Sequence, residues 1–229
     1  MVENWKNIWN KRKPESEDVD LAELIKLDGF DTGAGRIEAG DWRVLTNSIA
    51  EKLRLQDGDS VFEVGCGAGA FLYSLLEEYD IKVGGIDYGE GLIDTAQKVI
   101  PNGDWKLKEA IRLDIEPEYD YVISHGVFHY FGLDYAEEVL DRMNRKALKG
   151  VAVLEIPDLE TKDELERIRR DILSVEEYKK KYAGLEHTYY AKEWFIQKAK
   201  DYGLQYSVFG GCVPNYAQND YRFGVIFKK

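Results

Sequence analysis

One stretch constrains this chain more than any other: Val61-Phe62-Glu63-Val64-Gly65-Cys66-Gly67-Ala68-Gly69-Ala70-Phe71. Ser60 to Val64 is a short apolar run with a carboxylate set into it. Three glycines follow at alternate positions. Then comes Phe71-Leu72-Tyr73-Ser74-Leu75-Leu76, with apolar residues at helical spacing. The order reads as strand, glycine turn, helix. Gly65 and Gly67 let the backbone turn sharply and approach a ligand with no Cβ in the way. The helix begins with unpaired N–H groups, so the physics is that of a nucleotide site.

Two ligand classes use such a turn. A dinucleotide is one, because Gly65-x-Gly67-x-x-Ala70 fits the G-x-G-x-x-G/A pattern. S-adenosylmethionine is the other. Glu63-Val64-Gly65-Cys66-Gly67-Ala68-Gly69 resembles the first motif of the class I S-adenosylmethionine-dependent methyltransferases, acidic-x-Gly-x-Gly-x-Gly, at every defined position. The resemblance implies an α/β fold: a Rossmann-like, seven-stranded, mostly parallel sheet with helices on both faces and a C-terminal antiparallel strand pair. It implies S-adenosylmethionine as cofactor and S-adenosylhomocysteine as product, with Glu63, Gly65, Cys66, Gly67 and Gly69 in the cofactor site. Three other readings stay open: an NAD-dependent oxidoreductase on the same turn, a module that binds S-adenosylmethionine without turnover, and a purely structural turn.

Charge narrows the partners. The 31 basic and 43 acidic residues of the 229 give a net charge of −12. Nucleic-acid affinity rests on neutralised phosphates, and no basic stripe is evident. Lys179-Lys180-Lys181 and Arg169-Arg170 are interleaved with acids and read as solvated helix faces. The two cysteines, Cys66 and Cys212, make no disulfide framework and no metal-ligand spacing. A reduced, cytoplasmic protein with no metal is expected. The polar N-terminus, with Trp5 and Trp9, is not a signal peptide, and no apolar run reaches bilayer length.

Residues 1–59 are expected to form an N-terminal helical lid segment and residues 60–229 the cofactor-binding domain, with about 157–190 as an acceptor-site insertion. Trp5, Ile8 and Trp9 share one helical face. Val19 to Leu27 suits a short helix. Asp28 to Arg36 is too glycine-rich for a helix and long enough to move. Asp41 is a candidate N-cap for a helix through Trp42, Val44, Leu45, Ile49 and Leu53. The aromatic helix and the loop together suggest a lid over the site. A segment simply packed on the core, or a dimer contact, is the alternative, and monomer and homodimer both stay open.

Ile81 to Asp87 is a second strand ending in a carboxylate about 20 positions past the turn, where ribose hydroxyls are bound. The resemblance gives Asp87 that role, and Tyr88 is placed to border the adenine. Asp104 to Leu107 is a third strand. After it, Glu109, Ala110 and Ile111 resemble the segment that meets the adenine in this family. Glu118 to Ser124 is the fourth strand, which brings Ser124 and His125 to the ligand edge of the sheet. His129 follows four residues later. A histidine at a cofactor cleft is a candidate base, because its proton affinity is tunable near neutral pH. His125, His129 and His187 are therefore the candidate catalytic residues. Tyr135 to Leu148 reads as an amphipathic helix with Ala136, Val139, Leu140, Met143 and Leu148 inward. Gly150 to Asp158 is the fifth strand, placing Glu155 and Asp158 near the acceptor. Ala191 to Tyr202 is a last helix. Two alternating strands, Leu204 to Phe209 and Tyr221 to Phe227, form the closing pair.

Methyl transfer is an in-line displacement at a sulfonium carbon, so the protein positions the nucleophile and excludes water. No nucleophilic triad is needed and none is visible. A hydroxyl acceptor needs a base, and His129 or His187 is expected to serve. An amine needs only deprotonation. A carboxylate needs positioning, for which Arg36, Arg43 or Arg222 are available. Tyr189, Tyr190, Tyr216 and Tyr221 suit a polar, partly flat ligand such as a sugar ring. His187-Thr188-Tyr189-Tyr190 and Asn219-Asp220-Tyr221-Arg222-Phe223 are similar to stretches of methyltransferases of bacterial polysaccharide biosynthesis. The expected acceptor is a small molecule, first a hydroxyl of a sugar or nucleotide-sugar, second an aromatic or polyketide product. Neither nucleic acid nor membrane is expected as a partner.

Overall fold

The computed structural model describes residues 3–31, 35–171, 176 and 187–229. Seven strands form one sheet: β1 (Ser60–Val64), β2 (Lys82–Asp87), β3 (Asp104–Leu107), β4 (Tyr119–His125), β5 (Ala147–Pro157), β6 (Gln205–Gly210) and β7 (Arg222–Lys228). Their order is β3-β2-β1-β4-β5-β7-β6. β1 to β5 pair in parallel, and β7 runs antiparallel between β5 and β6. The order reverses at β1, so a crevice opens beyond the carboxyl ends of β1 and β4.

Side-chain alternation divides the core in two. Val61, Ile123, Ala152, Leu154 and Ile226 face one way. Phe62, Val64, Val122, Val153, Val225 and Phe227 face the other. The first face is covered by α2 (Leu21–Leu27), α3 (Ala39–Leu53), α4 (Ala70–Leu76) and α5 (Glu90–Val99). The second is covered by α6 (Leu133–Lys146) and α8 (Lys192–Asp201). Two further helices, α1 (Glu3–Trp9) and α7 (Lys162–Asp171), stand at the ligand edge and after β5. Among the described residues no helix is long and apolar enough to cross a membrane.

The seven strands lie within three residues of their expected bounds. Two local expectations need correction. α3 starts at Ala39 with Glu38 as its N-cap, and Asp41 lies inside the first turn. There its charge still favours the helix N-terminus. Leu148 is not part of the inward stripe of α6: the helix stops at Lys146, β5 begins at Ala147, and alternation turns Leu148 outward, 50% exposed. Lys146 takes the interior place instead. Its ammonium donates to the carbonyls of Asp114 and Pro117 and lies over the Phe62 ring.

The N-terminal segment is not a loose appendage. Leu21, Leu24, Ile25 and Leu27 of α2 are buried with Trp42 and Leu45 of α3 against α4. Residues 32–34 of the glycine-rich loop lie outside the described residues. So does most of the expected acceptor-site insertion beyond Asp171, including Lys179-Lys180-Lys181.

Candidate active site

The turn after β1 is built by backbone freedom. Gly65, Gly67 and Gly69 have φ of 74°, 53° and 89°, a region that side chains strain. A Cβ on Gly65 would lie 2.5 Å from a Val127 methyl. The N–H groups of Gly65 and Cys66 both reach the Ile86 carbonyl, at 2.8 and 3.0 Å, which ties the turn to β2. A cavity opens above it.

β-strand alternation decides which side chains enter. Glu63 of β1, Asp87 of β2 and His125 of β4 fall on the face that leads to the cavity, and all three line it. Gly65, Cys66, Gly67, Tyr88 and Ala110 line it as well. Asp87 accepts the Gly67 N–H at 3.1 Å on one oxygen and the Gly89 N–H at 2.8 Å on the other. Each oxygen keeps acceptor capacity for a ligand hydroxyl. Glu63 is 3% exposed and its Oε2 has no hydrogen-bond partner. Burial, with Asp28 and Asp87 close by, holds its carboxyl well above the ordinary range. Burial likewise pushes the Cys66 thiol and the Tyr88 phenol up, so both stay protonated.

Six expected site residues are placed elsewhere. Gly69 caps α4 and packs toward Ala96, Ile100 and Trp105. Ser124 alternates to the opposite face from His125 and donates to the Val64 carbonyl at 2.9 Å. Glu109 pairs with Lys6 of α1, which holds its carboxyl below the ordinary range. Ile111 gives its N–H to the Tyr135 hydroxyl. His129 and His187 lie ring to ring, 4.3 Å apart, outside the cavity lining. Both pack on Tyr130, which does line it.

His125 does enter, but as a neutral ring. It stacks on Phe30 at 5.0 Å and meets Trp42 and Phe71 edgewise or tilted at 5.1 and 5.4 Å. Its Nε2 has no hydrogen-bond partner. This apolar cage, with Arg222 nearby, lowers its proton affinity to about 3. A group so reluctant to take a proton is a poor general base at neutral pH.

Three residues of the first thirty complete the walls: Trp9, Asp28 and Phe30. Sequence reading left Asp28 as the first residue of a movable loop. Its Oδ1 accepts the Ala68 N–H at 2.5 Å and its Oδ2 the Ala70 N–H at 3.1 Å, across about 40 positions of chain. Nothing local in the sequence gives that pairing. The nearest signal is Gly67, whose missing Cβ would sit 2.1 Å from Asp28 Oδ1. Asp28 is half-buried at the cavity wall, and desolvation raises its carboxyl to about 7. α1 bridges the mouth: Lys6 reaches the loop after β3, while Trp5 packs on Tyr130 and His187 at 4.8 and 5.3 Å.

The residues suggested for acceptors do not converge here. Arg36 pairs with Glu38, Arg43 with Glu77. Arg222 is buried with Gln218 and the backbone carbonyl of Glu155, while the Glu155 carboxylate takes the Tyr216 hydroxyl at 2.9 Å. Asp158 caps a turn and pairs with Lys192. Tyr190 is fully buried, donating toward the Phe128 and Phe131 carbonyls, and none of Tyr189, Tyr190, Tyr216 or Tyr221 lines the cavity. Among the described residues no cluster of metal-ligating side chains forms.

Residues 42–183 match the model of the mycolic acid cyclopropane synthetase family. The chain belongs to this family. With it goes membership of the class I S-adenosylmethionine-dependent methyltransferases, and the dinucleotide reading of the glycine turn falls. Within the cyclopropane synthetase family, the chain is 29% identical over 85 residues to cyclopropane mycolic acid synthase 1 of Mycobacterium tuberculosis, covering 35% of this chain and 30% of that protein. It is 29% identical over 84 residues to the cyclopropane-fatty-acyl-phospholipid synthase of Escherichia coli, covering 37% and 22%. The chain thus matches less than a third of the length of these curated relatives. The fold is shared more widely. The plantazolicin methyltransferase in complex with a desmethyl plantazolicin analogue and S-adenosylhomocysteine superposes with a TM-score of 0.66 at 15% identity, over 99% of this chain and 98% of that one.

Proposed function

We propose that this protein transfers the methyl group of S-adenosylmethionine to a small-molecule acceptor bearing a hydroxyl or an amine. The observation that carries the reading is the joint placement of Glu63, the glycine turn and Asp87 on one cavity. The residues fit the cofactor. Asp87 has acceptor capacity left for two ribose hydroxyls, and Glu63 keeps an unpartnered oxygen inside. When bound, S-adenosylmethionine supplies an activated methyl group on a cationic sulfur.

The chain's own part is to bind, orient and exclude water. Asp87 holds the ribose. Tyr88, Ile86 and Ala110 border the base. Trp9, Phe30 and Tyr130 wall the other end and keep water from the reacting atoms. Among the described residues the lining carries the carboxyl groups of Asp28, Glu63 and Asp87 against the one cation Lys108, so an anionic acceptor is disfavoured. A carboxylate acceptor is therefore set aside, and neutral or cationic nucleophiles remain. A sugar hydroxyl keeps its place as the acceptor suggested by sequence similarity, without the tyrosine platform first expected for it. Methylene transfer to an unsaturated acyl chain is a second reading, favoured by the family match.

Thermal unfolding with S-adenosylhomocysteine and with NAD, each at about 100 times an ordinary dissociation constant, tests the cofactor. A true ligand adds about 2.7 kcal/mol and raises the midpoint by about 5–10 °C. The expected result is a shift with S-adenosylhomocysteine alone. Formation of S-adenosylhomocysteine from S-adenosylmethionine is then followed with amino and hydroxylated metabolites and with unsaturated phospholipid vesicles. Binding without turnover on any of these would support a non-catalytic module. No shift with either nucleotide would overturn the proposal.

A further inference from the structure

We propose that Asp28 is a ligand for the α-ammonium of S-adenosylmethionine, so that the N-terminal segment supplies part of the cofactor site itself. The inference rests on the reading above and names a residue which the glycine-turn motif does not contain.

Ala68 and Ala70 present N–H groups at the turn into α4. Asp28 already occupies both, at 2.5 and 3.1 Å. An anion in that place repels a second one and attracts a cation. Gly67 makes the arrangement fit, since any side chain there would collide with Asp28 Oδ1.

Asp28, Glu63 and Asp87 line one cavity, and Glu63 Oε2 is enclosed there with no partner. Lys108 lines the cavity but is paired with Asp114, and among the described residues the cavity lining does not include Arg12. Arg12 donates to the carbonyls of Lys26 and Leu27 at 2.6 and 3.1 Å. A carboxylate group whose lining cation is engaged elsewhere is completed by a cationic ligand. S-adenosylmethionine carries two cationic groups. The sulfonium has no N–H to donate, whereas the ammonium has three, so hydrogen-bond acceptors match the ammonium.

The consequence is a coupling. Phe30, two residues on, stacks on His125, and Trp9 packs over Gly29. A ligand that draws on Asp28 therefore also fixes the aromatic wall around the acceptor end. Bound cofactor and an ordered acceptor pocket become one event.

The test compares two ligands by calorimetry on the whole chain. S-adenosylhomocysteine carries the amino-acid end, and 5′-methylthioadenosine is the same adenosine thioether without it. Asp28→Asn is expected to weaken S-adenosylhomocysteine about 10- to 100-fold, the size of a lost charged hydrogen bond. Binding of 5′-methylthioadenosine should change by less than about twofold, which also reports that the variant is folded. The asparagine keeps a carbonyl oxygen for the Ala68 N–H. If it does not fold, Asp28→Ser, another helix-start acceptor without charge, takes its place in the same pair of titrations. An equal loss for both ligands would assign Asp28 to shaping the turn alone and overturn the proposal, as would no loss for either. Failure of the wild type to bind either ligand would instead bring down the cofactor reading, and this inference with it.

A pH series sharpens the result. The groups facing Asp28 are Arg12, Glu63, Cys66 and Asp87. Wild-type affinity for S-adenosylhomocysteine should fall as pH drops below about 7, as Asp28 takes up a proton. In Asp28→Asn that part of the slope should vanish. A slope unchanged in the variant would point to Glu63 or Asp87 and against Asp28.

Discussion

The cavity has two walls of different origin. The floor comes from β1, the glycine turn and the end of β2, residues within about 25 positions of one another. The roof comes from Trp9, Asp28 and Phe30 on one side and from His125, Gly126, Val127, Tyr130 and Phe131 on the other, about 100 positions apart in sequence. The floor is a local device: strand, turn, strand, with a carboxylate at each strand end. The roof exists only because the fold has closed. The floor therefore sets what class of ligand enters, and the roof sets how it is held.

The strongest way to break this division is at the floor. Asp87→Ala removes the acceptors of the Gly67 and Gly89 N–H groups and, on the proposed function, those of the ribose. Calorimetry should show at least about a 100-fold loss for S-adenosylhomocysteine and for 5′-methylthioadenosine alike. Retained affinity for either would move the ribose site elsewhere.

The roof is sharpened by titrating two of its groups, which the same dry surroundings push in opposite directions. Asp28 has its folded proton affinity raised, from 3.8 to about 7. Between those values the unfolded chain loses its proton while the folded chain keeps it, so this group's contribution falls as pH rises. Asp28→Asn should thus stabilise the ligand-free protein above pH 7, on the order of 1–3 kcal/mol, while it weakens the cofactor. Denaturant unfolding across pH measures it. Equal stability of variant and wild type at both ends of the range would contradict the burial described here.

His125 runs the other way. Its folded value is lowered from 6.5 to about 3, so its contribution is present above pH 6.5 and is lost as pH falls toward 3. His125→Phe keeps an aromatic ring in the cage and removes the titration. The expected effect is smaller, about 1 kcal/mol of gained stability near pH 5, with catalytic rate at neutral pH reduced by less than tenfold. A loss of rate beyond about 1000-fold would restore His125 as a base.

The same division explains what could be read in advance. Strand bounds, the sheet's closing pair, Glu63 and Asp87 were legible because alternation and glycine spacing are local signals. Ser124 and His125 were adjacent in the reading, yet alternation sends only His125 to the cavity. The histidines attracted attention as chemistry. In the fold, one is caged by Phe30, Trp42 and Phe71, and two sit behind Tyr130. The tyrosines near the end of the chain looked like a ligand surface, but Tyr190 is a core residue with its hydroxyl satisfied by two carbonyls. Asp28 was passed over because its partners, Ala68 and Ala70, are some 40 residues away and are backbone groups. No side-chain pattern announces a carboxylate that will bond to peptide N–H groups of another element.

The wide sequence gaps that α1 spans have a kinetic meaning. Lys6 is paired 103 positions away, and the ring of Trp5 rests on residues about 125 and 182 positions on. Contacts of such separation form only after the sheet has brought their partners together, because the intervening loop must first be closed. α1 is then the last piece to dock during folding and the first to let go on warming. Its amides should exchange with deuterated water well before those of β1 and β4. A site roofed by contacts of such long separation should release product without disturbing the sheet beneath it.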